Sequence, residues 1–77
     1  MKQINMYTTS SCSSCKAMYP LLLEFCLAND IELNKIDAEI NDVPSYVTSV
    51  PTTDYVEDGL VMNTITGPFN DFTSFIQ

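Results

Sequence analysis

The chain has 77 residues, 45% of them apolar, which is enough for one small domain with a hydrophobic core and too much for a disordered chain. Ten acidic residues against three lysines give a formal net charge of −7, so binding to nucleic acid or to anionic membranes is not expected. The longest apolar run, Pro20 to Ala28, is interrupted by Glu24 and is far shorter than the ~20 residues of a membrane span.

The first elements are a strand, a loop and a helix. Polar and apolar residues alternate from Lys2 to Tyr7, which predicts a strand, and the small residues of Thr8 to Ser14 predict a loop. Helical spacing then predicts a helix from about Ser13 to Asn29, and its apolar face consists of Met18, Leu22, Phe25 and Cys26. We expect Ser10 or Ser11 to cap this helix, and Pro20 to interrupt its hydrogen bonds.

The middle of the chain predicts a second strand and a short helix. Ile31 to Asp37 alternates in the manner of a strand, and an acidic, proline-containing segment follows from Ala38 to Ser49. Because proline is favoured in the first turn of a helix, Pro44 predicts a short helix that would hold Tyr46 and Val47.

The last third of the chain predicts a hairpin and a helix. Thr52 to Val56 and Leu60 to Thr66 are rich in β-forming residues, and the Asp58-Gly59 pair between them is a strong hairpin signal. After Gly67-Pro68, aromatic residues recur at helical spacing, so we expect a short C-terminal helix whose core-facing stripe is Phe69, Phe72, Phe75 and Ile76.

These elements predict an α/β fold in which residues 1–77 form a single domain. The order is β-α-β-α-β-β-α, with a parallel pair made by the first two strands and an antiparallel pair made by the hairpin. The product is a mixed four-stranded sheet, and we expect helices on both of its faces.

The cysteines are the most informative residues. Cys12 and Cys15 form a CxxC pair at the predicted start of the helix, and Cys26 stands alone. Such an odd and sparse set is not typical of a secreted disulfide framework, and one pair without any histidine cannot supply the four ligands of a zinc site. Redox chemistry or simple packing remain as explanations, and we therefore expect neither a metal nor a cofactor.

The position of the pair favours redox chemistry. Backbone amides and the dipole at a helix N-terminus favour an anion, so we expect the pKa of Cys12 to lie below that of a free thiol and Cys12 to be the nucleophile. Cys15, one turn further on, would resolve the resulting mixed disulfide, and we expect Lys16 to be the only cation near the pair. Cys26 lies three helical turns beyond Cys15, too far for a disulfide, and is interpreted as a buried small hydrophobe.

Several segments resemble the thioredoxin superfamily. Ser11 to Pro20 is similar to the thioredoxin active-site helix, with Lys16 directly after the second cysteine and a proline five residues after it. Val50-Pro51-Thr52 resembles the cis-proline loop of that family, which implies a cis Pro51 that lies beside the cysteine pair. The resemblance also implies a substrate-binding surface, made here of Ser11, Val50, Pro51, Thr66 and Gly67.

The opening Met6 to Cys12 is closer to glutaredoxins and to the small glutaredoxin-like redoxins that reduce ribonucleotide reductase. Departures from the family patterns are also present. Ser11 replaces the thioredoxin tryptophan, Ser13-Ser14 replaces Gly-Pro, and Met6 stands where thioredoxins have a buried acid. Thr66 to Phe69 replaces the Gly-Gly-x-Asp stretch of a glutathione site, so glutathione is not expected as a cofactor.

The resemblance implies a thiol-disulfide oxidoreductase that reduces protein disulfides through Cys12 and Cys15. We expect a monomer, and we expect it in the cytoplasm because residues 1–5 do not have the pattern of a secretory signal. Its partners would be protein disulfides, with a ribonucleotide reductase as one candidate, and a thioredoxin-reductase-like enzyme that recycles it. Two alternatives stay open. One is a glutathione-dependent glutaredoxin. The other is a non-enzymatic binding module with this fold, or one that holds an iron–sulfur cluster between two copies through Cys12.

Overall fold

A computed structural model describes all 77 residues of the chain and contains four strands and two helices. Neither helix has the length and apolar content needed to span a membrane. The elements in chain order are β1 (Lys2–Thr8), α1 (Ser13–Ala28), β2 (Glu32–Asp37), β3 (Thr52–Glu57), β4 (Leu60–Thr66) and α2 (Phe72–Phe75).

The strands form one sheet in the order β2-β1-β3-β4. β1 lies in the middle of it, parallel to β2 and antiparallel to β3, and β3 is antiparallel to β4. The predicted mixed four-stranded sheet and its two predicted strand pairs are therefore confirmed. Because α1 connects β1 to β2, it is the crossover that a parallel pair requires.

The hairpin between β3 and β4 has the turn that its sequence predicts. Asp58 and Gly59 both have a positive φ, 51° and 84°, which a two-residue turn of the favoured hairpin type requires. Glycine adopts this conformation without steric cost, and aspartate is among the residues that tolerate it. The turn therefore fixes the pairing of Glu57 with Leu60.

The core lies between one face of the sheet and both helices. Ile4, Met6 and Tyr55 share this face, and the buried side chains of α1 and α2 pack on it. The helices also contact each other, since the rings of Phe25 and Phe72 lie 5.6 Å apart between centroids. The predicted aromatic stripe thus belongs to the core, and its helix is only four residues long.

The expectation of helices on both faces is wrong, because no helix forms in the segment from Ala38 to Val50. Pro44 begins a single turn instead, in which the amide of Val47 donates to the Pro44 carbonyl at 3.0 Å. The residues after Pro44 are serine, threonine, valine and tyrosine, which are poor helix formers, and one turn gains too little to offset helix nucleation.

The segment packs on the second face of the sheet through a polar contact rather than an apolar helix face. The hydroxyl of Tyr46 donates to Asp54, whose side chain is only 1% exposed. The other carboxylate oxygen of Asp54 accepts from the Thr64 hydroxyl at 2.7 Å. Since Asp54 faces away from the helices, this contact attaches the segment to the side of the sheet that has no helix.

Candidate dithiol site

Cys12 and Cys15 are joined in a disulfide at the N-terminus of α1, with their Cα atoms 5.3 Å apart. Cys12 is half-buried, whereas Cys15 is only 2% exposed. A thiol or thiolate that approaches from solvent therefore reaches the sulfur of Cys12 and not that of Cys15. This asymmetry supports the predicted division of the pair into an attacking and a resolving cysteine.

The helix is capped by Cys12 itself, so the predicted capping by Ser10 or Ser11 is wrong. Cys12 has extended backbone angles, and its Sγ accepts the amide N–H of Cys15 at 3.1 Å. Its Sγ also lies 3.6 Å from the Ser14 hydroxyl. A sulfur in this position accepts a hydrogen bond from an amide of the first turn that has no partner within the helix. The same interaction stabilises an anion at this position.

Ser10 has a different partner. Its amide and its hydroxyl both donate to Glu39, at 3.0 and 3.1 Å. These hydrogen bonds lower the pKa of the Glu39 carboxyl below its usual range. Ser10 therefore ties the loop before the cysteines to the segment that follows β2.

The Val50-Pro51 peptide bond is cis, as the resemblance implies. Thr52 pairs with Tyr7 on one side and with Thr66 on the other, so the proline loop lies beside the end of β1, from which the chain runs on to Cys12. Pro51 is buried, and its carbonyl accepts the amide of Gly67 at 2.8 Å.

The predicted substrate-binding residues accordingly gather at one end of the sheet. Val50 and Cys12 pack against the same core cluster, while Thr66 and Gly67 follow from the neighbouring strand. Ser11 is exposed in the turn immediately before Cys12, and its side chain makes no hydrogen bond to the other four.

An apolar groove adjoins the pair on the side of the C-terminal segment. It encloses about 410 Å³ and is lined by Ser14, Ala17, Met18, Leu21, Pro68, Phe69 and Asn70. Because Ser14 lies between the two cysteines, a partner whose sulfur meets Cys12 would extend over the near end of this groove.

A polar cavity of about 350 Å³ reaches the pair from the opposite side. Its lining is Thr8, Thr9, Ser10, Cys15, Lys16, Lys35 and Asp37. The prediction that Lys16 is the only nearby cation is therefore wrong, because Lys35 of β2 lines the same cavity. Parallel pairing sets Lys35 opposite Met6 of β1, and a strand register between distant segments leaves no signal in the local sequence.

Cys26 stays outside this site, as predicted. It is a free thiol, only 1% exposed, and burial raises its pKa to about 11. No three cysteine, aspartate or glutamate side chains lie close enough together to hold a metal ion.

No protein-family model and no curated protein sequence matches the chain. Solved structures do. The chain aligns with the thioredoxin of Fasciola hepatica at a TM-score of 0.86 and 19% identity, covering 97% of this chain and 77% of that one. It aligns with a mutant thioredoxin of Halobacterium salinarum at a TM-score of 0.84 and 19% identity, covering 99% of this chain and 75% of that one. With thioredoxin 1 of Thermosipho africanus the TM-score is 0.79 and the identity 26%, and the alignment covers 96% of this chain and 85% of that one.

Proposed function

We propose that this chain, which has the fold of the thioredoxin superfamily, is a thiol-disulfide oxidoreductase that reduces protein disulfides through Cys12 and Cys15. The observation that carries the proposal is the accessibility of the two sulfurs, with a half-buried Cys12 that accepts a helix-end amide and a buried Cys15 behind it. The reaction needs the redox-active Cys12–Cys15 disulfide and no cofactor.

The reaction has two exchange steps. The Cys12 thiolate attacks one sulfur of a substrate disulfide, so that a Cys12–substrate bond forms and the other substrate sulfur leaves with the electron pair. The Cys15 thiolate then attacks Cys12, which releases the second substrate sulfur and forms the Cys12–Cys15 disulfide. Two cysteine thiols of this protein are oxidised and one substrate disulfide is reduced to two thiols.

The proline loop supplies a place for the substrate backbone. Val50 precedes the cis bond and lies two residues before the start of β3, where we expect an extended substrate segment to pair with its main chain. Thr66 and Gly67 flank the same loop, since the amide of Gly67 bonds to the Pro51 carbonyl. This placement supports a substrate-binding role for these residues together with the exposed Ser11.

The partners belong to the proposal as well. The protein acts as a small electron carrier that passes electrons to protein disulfides, ribonucleotide reductase among the candidates, and is reduced again by a thioredoxin-reductase-like enzyme. An odd and sparse set of cysteines supports a cytosolic location, where thiols are kept reduced.

Substitution of each cysteine tests the proposal. Cys12→Ser should abolish disulfide reduction, because the remaining sulfur of Cys15 is buried. Cys15→Ser should still attack once through Cys12 and then stall as a mixed disulfide, whose protein partners mass spectrometry can identify. Cys26→Ala is the matched control and should retain turnover.

Three results would contradict these assignments. Trapping through Cys15 in the Cys12→Ser protein would reverse the roles of the cysteines. Efficient turnover of a small glutathione mixed disulfide would favour the glutathione-dependent alternative. A freshly purified protein with the absorbance of an iron–sulfur cluster would favour the cluster-binding module.

A further inference from the structure

Thr53 carries the one buried side-chain polar atom of the molecule that has no hydrogen-bond partner. The residue is fully buried, and its hydroxyl bonds to no protein group in the disulfide form of the chain. A hydroxyl in this situation has lost its hydration without gaining a hydrogen bond in return. Valine has nearly the same shape, is favoured in strands and would avoid this cost, so the hydroxyl at this position requires an explanation.

The orientation of Thr53 separates it from the polar side of the sheet. On the face without helices, the Thr64 hydroxyl donates to Asp54 at 2.7 Å. Thr53 directly precedes Asp54 in β3, so its side chain points to the opposite face, which it shares with Tyr55. There it lies opposite Met6 of β1. The unpartnered hydroxyl is therefore in the core that α1 covers.

Within this core, Thr53 lies at the same end as Cys15. α1 begins after the end of β1 and ends before the start of β2, which is parallel to β1. Its buried side chains therefore run back along β1, from Cys15 at the dithiol end to Cys26 at the other. Thr53 follows Pro51 by two residues, at the end of β3 that adjoins the proline loop. Cys15 and Thr53 are thus the core-facing residues of α1 and β3 at the dithiol end.

Cys15 is the group in this part of the core whose hydrogen-bonding capacity depends on its redox state. The next buried side chains of α1, Met18 and Leu22, are apolar in either state. In the disulfide the Cys15 sulfur has no proton and is only a weak acceptor. Reduction gives it an S–H that can donate to the Thr53 oxygen, and ionisation turns it into a thiolate that accepts from the hydroxyl more strongly. Reduction therefore creates the kind of partner that the hydroxyl lacks in the disulfide form.

We propose that Thr53 tunes the redox equilibrium of the pair, because its hydroxyl is without a partner in the disulfide form and gains a hydrogen bond to the Cys15 sulfur in the dithiol form. This bond stabilises the dithiol form relative to the disulfide, so it makes the pair a weaker reductant. Thr53 acts only through Cys15 and is a positioning residue. The inference rests on the proposed function and adds to it a residue that sets how strongly the pair donates electrons.

Equilibration with dithiothreitol measures the effect on the pair. Reduced dithiothreitol transfers two electrons and two protons to the Cys12–Cys15 disulfide and is itself oxidised to its cyclic disulfide. Thr53→Val should lower the equilibrium constant of this reduction about fivefold, the value of one net hydrogen bond, which corresponds to a reduction potential lower by about 20 mV. Thr53→Ser keeps the hydroxyl and should restore the wild-type constant.

Denaturant unfolding of both redox forms closes a thermodynamic cycle. In the disulfide form, Thr53→Val should lower the equilibrium constant of unfolding at least about fivefold, because the unpartnered hydroxyl is removed. In the dithiol form this gain should be about fivefold smaller, because the substitution also removes a hydrogen bond. The ratio of the two effects must equal the change in the dithiothreitol equilibrium constant.

Matched variants test whether the effect depends on the sulfur of Cys15. Cys12→Ala keeps that sulfur as a thiol, and in this background Thr53→Val should act as it does in the dithiol form. Cys15→Ala removes the sulfur, and there Thr53→Val should act as it does in the disulfide form. Thr73→Val makes the same chemical change at an exposed position of α2 and should leave the dithiothreitol equilibrium unchanged.

The inference is overturned if folded Thr53→Val has the dithiothreitol equilibrium of the wild type, or if it stabilises both redox forms equally. A loss of stability in the disulfide form would also overturn it, since the hydroxyl would then already have a partner. Failure of the proposed function looks different. In that case the wild-type protein would not reduce protein disulfides, although its dithiothreitol equilibrium would still respond to Thr53→Val.

Discussion

Cys12 combines two tasks at the scale of a single residue. Its sulfur is the exposed half of the disulfide, and it also accepts the Cys15 amide that a serine or aspartate would accept in another helix. In the proposed function, the hydrogen bond that caps the helix would also be the one that activates Cys12 as the nucleophile. The sequence could not reveal this, because cysteine is not a residue that capping preferences favour, and Ser10 and Ser11 were available next to it.

Cys26 provides the contrast within the same helix. It is as buried as Cys15, but no cation or cavity reaches it, and burial raises its pKa to about 11. In the reduced, folded protein at neutral pH, iodoacetamide should therefore modify Cys12 first and leave Cys26 unmodified, because only the thiolate reacts. Peptide mass spectrometry after a timed reaction measures the order.

Denaturant supplies the control for this labelling experiment. In the unfolded chain all three thiols should react at similar rates, since burial no longer distinguishes them. Native-state labelling of Cys26 as fast as that of Cys12 would mean that α1 opens far more readily than its packing implies. A rise in Cys26 labelling is expected only at strongly alkaline pH, where its thiol ionises.

At the scale of elements, the segment from Ala38 to Val50 shows how a polar contact replaces a helix. Burial and the hydrogen bond to Asp54 raise the pKa of Tyr46, so its hydroxyl remains protonated and donates to Asp54 at neutral pH. Thr52 adds a second attachment, since its hydroxyl donates to the Ser49 carbonyl at 2.7 Å. Both contacts hold the segment that leads into the proline loop.

Removal of the Tyr46 hydroxyl measures what this contact contributes. Tyr46→Phe should lower the free energy of unfolding by about 1–3 kcal/mol, because a buried carboxylate loses one of its two side-chain hydrogen bonds. Denaturant unfolding of both proteins at neutral pH gives the difference. Tyr19→Phe makes the same chemical change where the hydroxyl has no hydrogen bond, and it should leave the stability nearly unchanged. Equal losses in the two variants would contradict the role of the Tyr46–Asp54 contact.

The elements that the sequence predicts correctly are those with a local signal. Asp58-Gly59 specifies its own turn, and the apolar spacing of Met18, Leu22 and Cys26 specifies the buried face of α1. The helix predicted from Pro44 does not form, because one favourable first-turn residue cannot nucleate a helix alone. The cavity beside Cys15 was missed for another reason, since the placement of Lys35 depends on the register between β1 and β2, which only the folded sheet defines.

At the scale of the whole molecule, charge is unevenly distributed. Lys16 and Lys35 both lie at the dithiol end together with Asp37 and Glu39, and the other eight acidic residues are spread over the rest of the chain. The molecule measures 28 × 24 × 17 Å, so the reach of its charges depends strongly on salt. At ~0.01 M salt the Debye length of ~30 Å spans the whole protein, whereas at ~0.1 M only charges within ~10 Å of the sulfur still act.

This difference in reach predicts opposite salt effects for charged disulfide substrates. At low salt the net charge of −7 should attract cystamine, a dication, and repel dithiodiglycolate, a dianion. As salt rises from ~0.01 to ~0.1 M, the second-order rate of oxidation of the reduced pair should fall for cystamine and rise for dithiodiglycolate. Stopped-flow kinetics give, for each reagent, the slope of the rate constant against salt concentration, so the intrinsic reactivities of the two reagents need not be compared. The rate constant for uncharged hydroxyethyl disulfide should not change with salt. Rates that rise with salt for cystamine, or fall for dithiodiglycolate, would mean that the lysines beside Cys15 outweigh the distant acids even at long range.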